Sequence, residues 1–308
     1  MRVVDVSRMR CFQGAGGPVL RPRWGSTGIV EPTFVPPHES HDRRWHLFAR
    51  EGEAVFHHVS EDGVVWERLR GAAIEGAARP FLLIEPDGYV LFYERVARRR
   101  APASSWIEAM VSRDLMTWSS PRAVLSPTLS WHASGQLGRG VGSPSCLRLR
   151  DGRYALYYGA GLVVLDDCRL VEPRAFGVAF GPSPLGPFTS IDAPLLEPDA
   201  ADAGANLAAG TARVLALEDG FVALQCGVYT DERGRSRAAV RALASADGEA
   251  FSSLSDTPVL APGIGFMRSH VRSLDARRVG GRLRVYFQAR SAWHRAIARE
   301  SIGMADLA

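Results

Sequence analysis

Short runs of alternating hydrophobic and polar residues, separated by turn residues, recur along the whole chain. The clearest example extends from Gly142 to Tyr158, where two alternating segments flank the pair Asp151-Gly152. Alternation with a period of two predicts β-strands, and an Asp-Gly pair between two such segments predicts a hairpin. The sequence therefore predicts an all-β fold built from repeated hairpins.

Five copies of this hairpin can be aligned on their turns. The alignment places one residue from each first strand at a common level: Glu31, Arg79, Ser143, Thr211 and Arg272. Three copies continue into a second turn, with the pattern Ser-x-Asp followed by an aromatic residue, that begins at Ser60, Ser112 and Ser245. Each repeat is therefore predicted to contain four strands in two hairpins.

A Pro-bounded apolar element closes several repeats as an outer strand, as at residues 194–198 and 258–262. The same element stands before the first repeat, at residues 18–22, and is missing from the last repeat. An N-terminal strand that completes the last repeat would close the repeats into a ring, which leaves only short, protected sheet edges. We predict a single-domain, five-bladed β-propeller over residues 1–308.

Composition and charge limit the function classes. The net charge is only +4 and the basic residues, including Arg98–Arg100, are scattered, which argues against a nucleic-acid partner. No run approaches the ~18 apolar residues of a membrane span, and the first residues lack a signal-peptide pattern. The cysteines show no zinc-binding spacing: Cys11, Cys146, Cys168 and Cys226. These features predict a cytoplasmic protein with free thiols and no membrane partner.

The common level of the first strands predicts a polar pocket. In a propeller these strands line the central channel, and one level holds an acid, two arginines and two hydroxyls, with His270 two residues before Arg272. Glu31 is the best candidate for a catalytic base or nucleophile, because an acid on an inner strand needs a reason to be there. Arg79 and Arg272 beside it predict excess positive charge, which favours an anionic group on the ligand. The alternative is that Glu31 is the counter-ion of one arginine and that the other arginine pairs with Glu94 or Asp275.

The chain resembles the five-bladed β-propeller glycoside hydrolases, namely the arabinanase and xylosidase group and the invertase and levansucrase group. The resemblance covers most of the chain and rests on the Ser-x-Asp turns, Glu31-Pro32, Arg79-Pro80 and Gly142-Ser143-Pro144. It implies a sugar or a related polyhydroxylated ligand at the channel mouth. Those families use three channel carboxylates, on the first, third and fourth blades. Here only the first position holds an acid, Glu31, because Ser143 and Thr211 occupy the other two.

Other residues are expected to complete the site. Glu94, at the end of a second-blade strand, is the candidate for a second catalytic carboxylate. The residues expected to bind the substrate are Arg79, Ser143, Thr211, Arg213, His270, Arg272, Trp131 and His132. Trp24 and Trp293 are further loop aromatics that would stack on a sugar ring. No cofactor is expected, although the resemblance implies a structural metal ion near the channel axis, beside His270.

Several functions stay open at this point. The first is a glycoside-hydrolase-like enzyme, and the second is a sugar-binding or scaffold propeller that has lost catalysis. A third is phosphorolysis, in which basic channel residues hold phosphate, and a fourth is a repurposed biosynthetic enzyme. Residues 162–170 form an insertion in the third blade that would serve as a flap or as a subunit contact.

Overall fold

The computed structural model describes residues 1–8, 11–13, 17–97, 104–135 and 137–308. Arg98–Arg100 and the side chain of Cys11 lie outside this description. Helix α1 (Val3–Arg8) and strand β1 (Cys11–Gln13) begin the chain, and short 3-10 helices occur at Ser130–His132 and Gly265–Met267. None of the helices in these ranges is long and apolar enough to cross a membrane.

The remaining strands pair antiparallel in five successive units, named here blades I to V. Blade I contains β2 to β5: Ile29–Val35, Trp45–Glu51, Ala54–Ser60 and Glu67–Glu75. Blade II contains β6 to β9: Ala77–Glu85, Gly88–Ala97, Ser104–Ser112 and Arg122–Leu125. Blade III contains β11 to β14, with β10 (Ala133–Ser134) beside β11: Gly138–Arg148, Tyr154–Leu165, Leu170–Gly181 and Thr189–Ser190. Blade IV contains β15 to β18: Ala208–Ala216, Phe221–Thr230, Ser236–Ser245 and Ser252–Ser253. Blade V contains β19 to β21: His270–Val279, Arg282–Arg290 and Glu300–Leu307.

The N-terminal segment completes blade V. Strand β1 pairs antiparallel with β21, and Leu20 forms a further bridge with Ile302. The Val19 amide donates to the Ile302 carbonyl at 2.9 Å, and the Ile302 amide donates to the Leu20 carbonyl at 3.0 Å. The pairing of residues 18–20 with the last blade, predicted from the sequence, is therefore present.

The first strands of the blades follow one another around a common axis. Strands β2, β6, β11, β15 and β19 each contact the next, and β19 contacts β2 again. Apolar side chains fill the interfaces between blades, including the closing one, where Phe34 and Trp45 of blade I pack with Tyr286 and Ile302 of blade V. This arrangement is the β-propeller that the hairpin repeats predict.

The Ser-x-Asp turns have one common structure that explains their recurrence. In each, a carboxylate oxygen accepts hydrogen bonds from the preceding serine hydroxyl and from two following backbone amides, as for Asp62, Asp114 and Asp247. Two of these turns also hold the neighbouring blade: Tyr286 donates to the Gly63 carbonyl at 2.6 Å, and Tyr157 donates to the Gly248 carbonyl at 2.9 Å. The motif therefore helps to hold neighbouring blades together, and it does so away from the residues where the first strands begin.

Candidate functional site

A bulge in the first strand of every blade determines which residues share a level at the channel. The strand pairing shifts after Val30, Ala78, Gly142, Ala208 and Arg272. At each bulge one residue has a positive φ: Glu31, Arg79, Ser143, Gly210 and Ser273. The predicted level was therefore wrong in blades IV and V, where Gly210 and Ser273 replace Thr211 and Arg272. Hairpin spacing does not reveal which residue of a first strand takes the bulged position.

Glu31 is buried and both of its carboxylate oxygens are paired. Arg50 Nε lies 2.7 Å from Glu31 Oε2 and Arg50 Nη2 lies 3.0 Å from Oε1, while the Arg79 amide donates to Oε2 at 2.8 Å. Burial by itself raises the pKa of Glu31, but Arg50 and Arg79 outweigh it and lower the pKa to about 2. Glu31 is therefore ionised at neutral pH, which is the state that a base or nucleophile needs.

Arg79 and Glu94, which the sequence analysis places in the site, pair with each other. Arg79 Nη1 lies 2.6 Å from Glu94 Oε2, and Arg79 Nη2 donates to the Val171 carbonyl at 3.4 Å. Gly142 leaves room for this pair, because a Cβ there would lie only 1.8 Å from Glu94 Oε2. Arg79 is therefore held between blades II and III.

Arg272 is paired with two carboxylates that the sequence analysis missed. It forms ion pairs with Glu172 and, at 3.1 Å, with Glu300. Gln288 Nε2 donates to Glu300 Oε1 at 3.0 Å, and Gln288 Oε1 accepts from the Glu31 amide at 3.3 Å. Gln288 therefore links the ion pairs of Arg272 to the ion pair of Glu31. Glu172 and Glu300 lie on third strands, so no alignment of first strands could indicate them.

We name the resulting set the mouth network: Glu31, Arg50, Arg79, Glu94, Glu172, Arg272 and Glu300. It contains four carboxylates and three guanidinium groups and spans blades I, II, III and V. The excess positive charge predicted around Glu31 is therefore not found among the described residues. The tertiary fold supplies a carboxylate partner for each of these arginines.

The long hairpin of blade III extends across the channel mouth and forms part of this network. Its residues 162–172, named here the mouth flap, include Val171 and Glu172. Near its tip, Asp167 accepts hydrogen bonds from the Ser236 amide at 2.7 Å and hydroxyl at 2.6 Å, and Arg290 Nη2 donates to the Cys168 carbonyl at 3.2 Å. These contacts hold the flap on the chain's own mouth, and the predicted subunit contact stays a prediction.

His270 lies beneath the mouth flap, and its hydrogen-bond partners are hydroxyl and thiol groups. Its Nδ1 lies 2.9 Å from Ser269 Oγ, and its Nε2 lies 3.5 Å from Ser236 Oγ and 3.9 Å from Cys168 Sγ. Burial, followed by nearby arginines, lowers the pKa of His270 to about 3. In the described chain His270 belongs to no group of three clustered candidate ligands. The axial metal ion that the resemblance implies beside His270 stays a prediction.

Arg213, Ser143 and Thr211 line the channel below the network, where there is almost no free space. The cavity that they border has a volume of about 20 Å³, too small for a sugar. Arg213 Nε lies 3.1 Å from Asp275 Oδ1, and its guanidinium lies 4.1 Å from the Phe81 ring centroid. These contacts give Arg213 a packing role instead of the expected contact with substrate.

Trp131 and His132 are also engaged in packing. The Trp131 indole stacks on Tyr158 at 5.5 Å and donates to the Asp192 carbonyl at 2.9 Å. His132 is buried, lies 2.9 Å from the Tyr158 hydroxyl and has its pKa lowered to about 4 by burial. Both side chains are therefore held by intramolecular contacts, and their role as a sugar platform stays a prediction.

The open space at the mouth lies between blades I and V, and we name it the mouth pocket. Its volume is about 610 Å³, and its lining residues are Gly25, Ser26, Thr27, Gly28, Val30, Arg50, Glu51, Gly52, Phe56, Arg68 and Glu300. Arg50 and Glu300 belong to both the pocket and the mouth network. Trp24, next to the pocket in the chain, is fully exposed.

Comparison with known proteins gives no match by sequence, either to a protein-family model or to a curated protein. Solved structures match over nearly the whole chain. An N-acetylgalactosamine deacetylase from F. plautii, in complex with blood group B trisaccharide, has a TM-score of 0.68 at 11% identity, over 96% of this chain and 95% of that chain. The chain has the fold of the glycoside-hydrolase β-propellers.

Two further matches show how varied the chemistry on this fold is. A thermostable family-43 glycoside hydrolase has a TM-score of 0.65 at 12% identity, over 96% of this chain and 91% of that chain. A β-1,2-mannobiose phosphorylase from Listeria innocua has a TM-score of 0.67 at 11% identity, over 97% and 96%. A hydrolase, a phosphorylase and a deacetylase thus share this glycoside-hydrolase propeller fold, so the fold alone does not select the reaction.

Proposed function

We propose that this propeller binds a sugar or a related polyhydroxylated small molecule in the mouth pocket and does not hydrolyse it. The observation that carries the proposal is the mouth network, in which each carboxylate is paired with an arginine. Hydrolysis of a glycoside needs one protonated and one ionised carboxyl group on opposite sides of the bond. Each of the four carboxylates of the mouth network is instead engaged by a guanidinium group, so none is free to take the place of the general acid.

The mouth pocket suits a sugar in size and in chemistry. A cavity of about 610 Å³ falls in the range of small-ligand sites. Arg50, Arg68, Glu51 and Glu300 on its walls offer donors and acceptors for hydroxyl groups. The exposed Trp24 ring at its border offers a stacking face for the apolar side of a sugar.

The test is direct binding, measured by calorimetry and thermal shift with neutral monosaccharides and disaccharides, uronic acids and sugar phosphates. A ligand of this pocket should bind at least tenfold more weakly to Trp24→Ala and to Arg68→Ala than to the wild type. Val65→Ala, which changes an exposed side chain at the other end of blade I, should bind normally. Equal binding by all variants, or no binding to any sugar, contradicts the proposal.

A glycoside-processing enzyme is the second candidate, favoured by the position of Glu300. This carboxylate lines the pocket, with 20% of its side chain exposed, and Glu31 behind Arg50 is ionised. Glu94 stays the proposed second catalytic group. Turnover of aryl glycosides that is lost in Glu300→Gln or in Glu31→Gln would support this candidate. Turnover that requires added phosphate would identify phosphorolysis and an anionic co-substrate.

A further inference from the structure

The loop that connects β2 and β3 brings two potential metal ligands close to a third at the start of β3. His41, Asp42 and His46 each offer one ligand atom, and these atoms all lie within 4.8 Å of one another. Strand pairing places His46 opposite Val35, whereas Glu51, which lines the mouth pocket, pairs with Ile29. The cluster therefore lies at the end of blade I opposite the mouth pocket, and the proposed function does not use it.

The three side chains combine a fixed inner ligand with an accessible outer one. His46 is buried, and its Nε2 lies 2.8 Å from Asp42 Oδ1. His41 is exposed, and its ring centroid lies 5.8 Å from that of His46. A metal ion can therefore approach from solvent and meet a histidine whose orientation is already set.

That orientation is set by a second histidine behind the first. His46 Nδ1 lies 2.9 Å from His57 Nε2, and the His57 ring stacks on Phe48 with centroids 4.1 Å apart. A metal-bound imidazole needs an acceptor for its other N–H, which fixes the tautomer that binds the ion. With Nε2 on a metal ion, His46 can donate from Nδ1 to His57 Nε2.

We propose that His41, Asp42 and His46 form a binding site for a divalent transition-metal ion, with Zn²⁺ as the reference ion. Two imidazoles and a carboxylate are a ligand set that Zn²⁺ accepts, with bonds of about 2.0–2.2 Å and ligand atoms about 3.4 Å apart in a tetrahedron. The exposed His41 side chain closes the remaining distance by rotation. A water molecule takes the fourth position.

Arg44 is the group that competes with the metal ion. Its Nε donates to Asp42 Oδ2 at 2.9 Å, and 41% of its side chain is exposed. A bound cation would repel this guanidinium, which can move into solvent. Removal of the Arg44 side chain should therefore strengthen metal binding, whereas removal of a ligand should weaken it. If the cluster only formed structural hydrogen bonds, these two substitutions would not change the metal affinity in opposite directions.

The test is calorimetric titration of the tag-free full chain with Zn²⁺. We expect one ion per chain, at least tenfold weaker binding to His41→Ala and tighter binding to Arg44→Ala. His38→Ala, a second exposed histidine of the same loop, is the matched control and should bind like the wild type. His41 is exposed, so its replacement should leave the melting temperature in the absence of metal unchanged.

Two further measurements make the result specific. Visible absorption of the Co²⁺-loaded chain should show four-coordinate geometry in the wild type and lose it in His41→Ala. Mg²⁺ should cause no heat and no thermal shift, because a site with two imidazoles disfavours hard cations. Equal Zn²⁺ affinity in the wild type and His41→Ala, weaker binding to Arg44→Ala, or equal binding of Mg²⁺ would overturn the proposal.

Discussion

At the level of single residues, the mouth is governed by the cost of burying charge. Arg79 and Arg272 are largely buried, with 15% and 12% of their side chains exposed, and an unpaired guanidinium there would cost several kcal/mol. Carboxylates from other strands, Glu94, Glu172 and Glu300, remove that cost. Pairing of this kind balances the charge of the buried guanidinium groups at the mouth.

The first prediction concerns Glu31→Gln, which removes the charge between Arg50 and Arg79. We expect a loss of about 3 kcal/mol in the free energy of unfolding at pH 7, because a broken buried ion pair leaves an uncompensated charge. The folded-state pKa of Glu31 is about 2, below its ordinary 4.5. The stabilisation is therefore complete above pH 4.5 and disappears as the pH falls towards 2.

Urea unfolding of both proteins between pH 2 and pH 7 measures this effect. The difference between wild type and Glu31→Gln should shrink as the pH falls below 4.5. Glu61→Gln, at an exposed turn position, serves as the control and should differ little from the wild type at any pH. A difference that does not vary with pH would refute the ion-pair explanation.

The second prediction concerns the inner-strand bulge of blade IV. Gly210 and Gly234 have nearly the same φ, 70° and 71°, but a Cβ at Gly210 would lie 1.9 Å from the Cys226 carbonyl oxygen, whereas Gly234 has open space. Gly234→Ala should cost only the backbone strain of about 1 kcal/mol. Gly210→Ala should cost several times more, as measured by denaturant unfolding, and equal costs would contradict the clash.

At the level of elements, the mouth flap is the part of blade III that joins blades II, IV and V. Its apolar residues Leu165 and Leu170 pack with Ala208 and Val228 of blade IV. Its polar contacts are concentrated at Asp167 and at Glu172, one near the tip and one at the mouth network. The flap therefore has two separate anchors, and each can be tested alone.

The third prediction is that Asp167→Ala loosens the tip of the mouth flap while leaving the propeller folded. Asp167 accepts two hydrogen bonds from Ser236, and bonds to a charged acceptor contribute about 1.5–3 kcal/mol each. Hydrogen exchange of amides in residues 162–172 should be at least tenfold faster. Asp166→Ala changes an exposed neighbouring carboxylate and should leave exchange unchanged, and identical exchange in both variants would argue against this anchor.

At the level of the whole molecule, stability depends on closing the ring. Every blade interface is an apolar core, and Val19 and Leu20 of the N-terminal segment pack against the one between blades I and V. The edge of β21 is covered by β1 and by the Leu20 bridge. An uncovered strand edge is both a local weak point and a site of aggregation.

The fourth prediction follows from this closure. Deletion of residues 1–22 should cause a large loss of stability and a less cooperative unfolding transition, because it exposes β21. Deletion of residues 1–8 removes helix α1 but keeps β1 and Leu20, so it should cost clearly less. Thermal and urea unfolding of the two truncated chains make the comparison, and equal stabilities would show that closure contributes little.

The sequence by itself determined the repeats, the hairpins and the complementary chain ends. These depend on local patterns: alternation with a period of two, the turn residues at Asp151-Gly152, and the Ser-x-Asp carboxylates that bind their own backbone. Because each such feature is satisfied within a few residues, it can be read along the chain. The propeller fold follows from this local information.

The tertiary structure alone decided the level of each inner-strand residue and the partner of each charge. Gly210 and Ser273 take the bulged positions in blades IV and V, and no spacing between turns records them. Arg272 meets Glu172 from a strand 100 positions away. Such contacts depend on how the blades close around the axis, so the ion pairs, and with them the location of the open pocket, emerge only when the ring is formed.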